Sequence, residues 1–279
     1  AGKRSEGDYG CIGRCAIPGV GACGGMYTAN TMSSACEAIG ISLPYSSTMA
    51  AEDEEKKDSA AESARVLLDA VKNNIRPRDI VTRKALENAC AVVAATGGST
   101  NAALHLPAIA HECGIEFDLF DVAEIFKKTP YIADLKPGGR YVAKDMFEAG
   151  GVPLLMKTLL DHGFMHGDCL TVTGRTIAEN MKNVKWNPDQ DVVYPANKPI
   201  TKTGGVVGLR GNLAPDGAIV KVAGMKNLTF TGPARCFDSE EECFAAVSTQ
   251  KYKEGEVLVM RSEGPRGGPG IRDMRSTTA

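Results

Sequence analysis

The sequence predicts a layered α/β domain followed by part of a β-barrel-like domain, and three observations carry that prediction. As far as about Lys182, stretches of helical apolar periodicity alternate with short apolar runs, the pattern of helices layered on strands. Trp186 to Pro199 then holds three prolines and few periodic apolar positions, which marks a linker. Beyond it, strand-like runs recur at roughly ten-residue spacing between Gly, Pro, Asn and Asp. The expected division is therefore an α/β domain over 1–185, a linker over 186–199 and a partial barrel over 200–279. A barrel begun near Val206 has only about four strands when the chain stops, and a sheet with an open edge is a poor independent fold. The first residue is alanine, which suggests a processed or truncated product.

Taken in order, the first ten residues are polar and glycine-rich and read as a frayed end. From Ala51 to Asn74 an acidic start leads into Ala60, Ala64, Leu67, Leu68 and Val71, one apolar face at helical period, with Pro77 beyond its end. Thr82 caps a second helix that stops at Gly97-Gly98, and Ser99 or Thr100 caps a third as far as Gly114. Asp121 with Glu124 reads as a capping box, Tyr131 to Leu135 as a short strand, and Leu154 to His162 as a helix between Pro153 and Gly163. Leu170 to Thr173 reads as a strand. In the second part, Val206-Val207, Ile219 to Val222, Leu228 to Phe230 and Val257 to Met260 read as strands. Ser239 and Glu242 form a capping box for one helix among them.

Composition excludes several classes. A net charge of −2 leaves no electrostatic footprint for nucleic acid or an anionic membrane surface. No apolar run approaches the ~20 residues a membrane span needs. Nine cysteines at irregular spacing argue against a secreted disulfide framework and for a reducing compartment. That compartment is the cytoplasm, or the mitochondrial or plastid interior of a eukaryote. Cys11 and Cys15 are separated by three residues, not the two of redox and zinc motifs.

The stretch around which the chain is organised is Gly21-Ala22-Cys23-Gly24-Gly25-Met26-Tyr27-Thr28-Ala29-Asn30-Thr31-Met32. Glycines let the backbone approach a bulky group, and the helix that follows directs its positive end toward a thiolate or anion. Cys23 is thus an iron or cluster ligand or a reactive thiol, or else it merely packs in a tight loop. Gly97-Gly98-Ser99-Thr100-Asn101 makes either an anion site suited to a carboxylate or plain capping between two helices. His105, one turn further on, faces the same pocket or sits as a satisfied boundary residue. Glu263, ahead of Gly264-Pro265, is a candidate for lining the site.

The wording of the Cys23 stretch resembles the third cluster-cysteine motif of the dihydroxy-acid dehydratases, in the family shared with the sugar-acid dehydratases. Five further collinear stretches extend the resemblance: Ser42 to Ser47, Gly97 to Asn101 with Leu104-His105-Leu106, Asp134 to Pro137, Leu209 to Gly217, and Glu263 to Gly270. The resemblance implies a hydro-lyase that converts 2,3-dihydroxy-3-methyl acids to 2-oxo acids in valine and isoleucine synthesis. It implies an iron–sulfur cluster, of two or four irons, with Cys23 as third ligand, a magnesium ion, and a homodimer. The other two cluster cysteines would precede residue 1, and the catalytic serine would follow Ala279, so no catalytic residue is assigned within the chain. Asp273 stands where the family has a magnesium-binding glutamate; it is a metal ligand one methylene shorter, or a solvated loop acid. Ser99, Thr100 and Asn101 are the candidate substrate contacts. T-A-N-T-M looks like the branched-chain enzymes rather than the sugar-acid ones. The competing expectation is a truncated, inactive chain that acts at most as a dimerisation partner.

Overall fold

A computed structural model describes residues 5–15, 21 and 23–262. In chain order these form α1 (Glu6–Cys15), α2 (Thr28–Ile39), α3 (Glu55–Lys72), α4 (Pro77–Ile80), α5 (Arg83–Thr96), α6 (Ala102–Glu112), α7 (Leu119–Lys128), α8 (Ala143–Ala149), α9 (Gly151–Asp161) and α10 (Ile177–Met181), then β1 (Val206–Leu209), β2 (Ala218–Lys221), β3 (Ala234–Phe237), α11 (Glu240–Ser248) and β4 (Val257–Met260). Helix and sheet are mixed, as an α/β chain requires. The chain divides into two compact units, one ending at Met225 and one beginning at Lys226. Among the described residues no helix is long and apolar enough to cross a membrane.

The first unit is built around α5. Thr82 caps it as the sequence predicts, its hydroxyl accepting from the Ala85 N–H at 3.3 Å, and Gly97 ends it in the left-handed conformation. Every residue from Ala89 to Thr96 is buried, so α5 is enclosed on all sides rather than amphipathic. Helices α2, α6, α7 and α9 pack against it. Alanines at 85, 89, 91, 94 and 95 keep its surface low, which lets neighbouring backbones come close. Where α5 turns toward α6, a Cβ on Gly98 would stand 2.9 Å from Thr31 Cγ2 and 3.1 Å from Val93 Cγ1. Glycine is therefore the residue that fits there.

Several elements depart from the sequence reading. Of the polar start, residues 6–10 belong to α1 instead of fraying, and residues 1–4 lie outside the described residues. The cap of α6 is neither Ser99 nor Thr100: Asn101 occupies the position in helical conformation, and the Ser99 hydroxyl accepts from the Asn101 N–H at 3.2 Å. The expected box at Asp121 and Glu124 lies one turn earlier, between Asp118 and Asp121, because Asp121 is long enough to bond back to the Asp118 N–H at 3.0 Å. Tyr131 to Leu135 makes single bridges to Thr201, Val193 and Tyr141 rather than one strand, its pairing divided among three partners. Leu170 likewise bridges only Thr176. In α3 the apolar stripe points outward: Ala60, Ala64, Leu67, Leu68 and Val71 are exposed, and only Ala70 is buried.

β1 and β2 pair antiparallel, Val206 opposite Lys221, and this hairpin packs on α7. In the second unit β3 and β4 pair parallel, Ala234 opposite Val257, with α11 connecting them over a small core of Phe237, Cys243 and Ala246. Ser239 caps α11 as predicted, while Glu242 bonds back to the Asp238 N–H rather than to Ser239. Leu228 to Phe230 is not a strand, and β3 was not foreseen. Among the described residues the strands thus form two separate pairs.

Two substitutions test the packing. Gly98→Ala should lower stability in urea unfolding by about 1–3 kcal/mol, the range for forcing a methyl into a filled space. Thr82→Ala should cost about 1 kcal/mol through loss of the α5 cap, with no change in cooperativity.

Candidate functional site

The first turns of α2 gather the two loops that the sequence singled out. Asn30 donates its side-chain amide to the Cys23 carbonyl at 2.9 Å and to the Gly25 carbonyl at 2.7 Å. Thr31, fully buried, accepts from the Ser99 N–H at 2.9 Å, and Thr28 accepts from the Asn101 amide at 2.8 Å. The Thr28 and Ser99 hydroxyls lie 3.2 Å apart. Thr28 and Thr31, one turn apart on one side, thus hold the Gly97–Asn101 loop, while Asn30 holds the Cys23 loop. The T-A-N-T wording has a physical content that the sequence reading missed; the signal was polar residues at i, i+2 and i+3 in the opening turn of the helix.

The Cys23 loop is fixed at further points. The Met26 N–H donates to the Lys136 carbonyl at 2.7 Å, and the Gly24 carbonyl accepts from the Ala143 N–H at 2.6 Å. At Gly25 a Cβ would stand 2.6 Å from the exposed Tyr27 ring, which would have to move aside. Cys23 itself is exposed, its Sγ 3.5 Å from the Gly25 carbonyl. Beside it lies a cavity of about 520 Å³. One wall is the Cys23 loop with Ala29, Asn30 and Ser33 of α2; the others are residues 47–52, Lys56, and Val142 to Lys144. Lys144 pairs with Glu52 at 3.2 Å across part of the rim. Among the described residues Cys23 is the thiol that lines this cavity; Cys36, on α2, is half-buried, and burial pushes its thiol up.

The remaining candidates are distributed differently. Ser99, Thr100 and Asn101 do not line this cavity, and Ser99 and Asn101 bond to α2. His105 is half-buried on α6 and is not among the lining residues either. Asp273 and Glu263 lie outside the described residues. Among the described residues no group of three or more His, Cys, Asp or Glu side chains could by itself hold a metal ion. Cys23 therefore fits a cluster as a single corner: an accessible thiol on a tightly held glycine loop, with room beside it. The described residues do not complete the set.

One further residue emerged only from the structure. Glu37 of α2 is 3% exposed, and its carboxylate accepts from the Tyr45 N–H at 2.7 Å, from the Ser47 N–H at 3.3 Å and from the Ser47 hydroxyl. Burial pushes this carboxyl up to about 7, and the three donors only partly offset that rise. Ser47 and Thr48, on the held segment, line the cavity. A glutamate amid Ala35, Ala38 and Ile39 was the available sequence signal.

Comparison with known proteins shows the family. The dihydroxy-acid/6-phosphogluconate dehydratase N-terminal family model matches residues 1–180, and the corresponding C-terminal model matches 191–279. The chain belongs to the dihydroxy-acid/6-phosphogluconate dehydratase family. It is 70% identical over 278 residues to dihydroxy-acid dehydratase 2 of Bradyrhizobium diazoefficiens, covering 100% of this chain and 48% of that protein. It is 64% identical over 281 residues to the dihydroxy-acid dehydratase of Parvibaculum lavamentivorans, covering 100% of this chain and 49% of that one. A third relative, dihydroxy-acid dehydratase 2 of Mesorhizobium japonicum, is 70% identical over 96% of this chain and 46% of its own length. The chain spans about half the length of these curated relatives.

The raised Glu37 carboxyl has a defined signature in pH-dependent unfolding. Because the folded state holds this proton more tightly than the unfolded chain, its contribution is complete below about pH 4.5 and is lost as pH rises through about 7. Denaturant titrations at several pH values should show this loss in the wild type and not in Glu37→Gln.

Proposed function

We propose that this chain is the central part of a dihydroxy-acid dehydratase, a hydro-lyase that converts 2,3-dihydroxy-3-methyl acids to 2-oxo acids in valine and isoleucine synthesis. The observation that carries the reading is the exposed Cys23 thiol, set on a glycine loop at the edge of a cavity of about 520 Å³. In this reading Cys23 supplies one thiolate to an iron–sulfur cluster whose other ligands lie outside the described residues. The cluster, when bound, supplies a Lewis acid for the departing hydroxyl. The chain's own part is to fix that thiolate: Asn30 pins the carbonyls on either side of Gly24, and the Met26 N–H is tied to Lys136. Ala29, Met49, Ala50, Ala51, Val142 and Ala143 give the cavity an apolar portion, which suits a methyl-branched acid better than a hydroxylated sugar acid.

The Ser99-Thr100-Asn101 loop belongs to the substrate side in this reading, buttressed through Thr28, and Asp273 is the magnesium ligand. In this reading the chain holds an α/β cluster- and substrate-binding domain over 1–185 and a barrel-like domain from 200 onward; the change of family model between 180 and 191 supports the boundary. The intact protein is a homodimer of the cytoplasm, or of an organelle in a eukaryote. The second reading, a chain inert by itself, is favoured by one observation: the described residues offer no complete metal-ligand set.

Anaerobic reconstitution with iron and sulfide, followed by visible absorption and 2-oxo acid formation, tests both readings. In a protein of the relatives' full length carrying this sequence, Cys23→Ser should abolish the absorption and lower turnover by ~10²-fold or more. Retention of colour and turnover in that variant would overturn the assignment of Cys23. The 279-residue chain alone should remain colourless under the second reading.

A further inference from the structure

We propose that Glu37 is a positioning residue for the Cys23 cavity, holding the segment 45–48, of which Ser47 and Thr48 line the cavity, at a fixed separation from the Cys23 loop. The inference rests on reading that cavity as the reaction chamber. A buried carboxylate is an expensive way to fill space on α2, where alanine and isoleucine are its neighbours in sequence. What a carboxylate offers and an apolar group lacks is several acceptor lone pairs at one point. Three donors of one short segment converge on it: the Tyr45 and Ser47 N–H groups and the Ser47 hydroxyl.

That segment has reason to need an anchor. Tyr45 has φ of +71°, a left-handed conformation that is unfavourable for a bulky residue. Two residues later, Ser47 and Thr48 become part of the cavity wall. Seven residues before Glu37 on the same helix, Asn30 holds the carbonyls of Cys23 and Gly25. At 1.5 Å of rise per residue, the two attachment points stand about 10 Å apart along the axis. α2 is thus a strut with a hook near each end, and its length sets the distance between the thiol and the opposite wall.

The test needs neither cofactor nor substrate. Alkylation of Cys23 by iodoacetamide and by the bulkier N-phenylmaleimide is followed by peptide mass spectrometry on the full chain, with exposed Cys236 as the internal control. Hydrogen exchange of the peptide spanning Tyr45 to Ser47 is measured in parallel. Glu37→Ala should change the ratio of the two alkylation rates at Cys23 by about threefold or more, the equivalent of one hydrogen bond, and leave the Cys236 ratio unchanged. Exchange at Tyr45–Ser47 should accelerate. Glu37→Gln, which keeps one acceptor oxygen, should restore most of both effects, whereas Glu37→Met, similar in volume but without an oxygen acceptor, should not. If Glu37→Ala fails to fold, Ser47→Ala removes the hydroxyl from the other side and should shift the same two readouts in the same direction. Unchanged ratios and exchange in the folded variants, or a Gln variant as impaired as Ala, would overturn the proposal. A positive result in a protein that forms no 2-oxo acid would uphold the strut and refute only the reaction.

Discussion

The buried hydroxyl of Thr31, bonded to the Ser99 N–H, is the contact on which the arrangement of this molecule turns. It requires α2 to lie close against the junction of α5 and α6, and that closeness is available only because position 98 carries no side chain. Once α2 is fixed, Asn30 and Glu37 are fixed with it. Asn30 meets the carbonyls of the Cys23 loop, and Glu37 meets the amides of the loop that follows the helix. A single 12-residue helix thereby sets three loops relative to one another.

Much of the fold was legible where local chemistry determines local structure. Thr82 and Ser239 cap the helices they were expected to cap, and Gly97 and Gly163 take left-handed conformations at helix ends. Legibility failed where the answer depends on what is nearby. The periodicity of α3 identifies an apolar face correctly but says nothing about whether a neighbour covers it, and Leu67 and Val71 remain 61% and 71% exposed. Tyr131 to Leu135 has strand-like residues, yet its hydrogen bonds are shared among three distant segments that no local pattern could name. β3 runs beside β4 because of a connection through α11, again a non-local event.

The site divides along the same line. Cys23 could be singled out because glycines on both sides of a cysteine are an unusual local signal, and it does border a cavity. The Gly97–Asn101 loop was readable as a special turn but not as a clamp, since its partners Thr28 and Thr31 lie about 70 residues away in sequence. Glu37 was invisible for a related reason. A lone acid in an apolar helix looks like an anomaly until the loop that satisfies it is placed beside it. The family resemblance supplied the chemistry of the thiol; the folded chain supplied the mechanical account of how that thiol is held.

The hold on Cys23 depends on hydrogen-bond polarity. The Asn30 side chain serves two carbonyl oxygens as a donor. Deamidation would replace that NH₂ group with a carboxylate oxygen, turning two attractions into two repulsions without altering size or shape. A chain chemically aged at this one atom would keep its helices and lose its grip on the glycine loop, so its far-ultraviolet spectrum would give no warning of the damage.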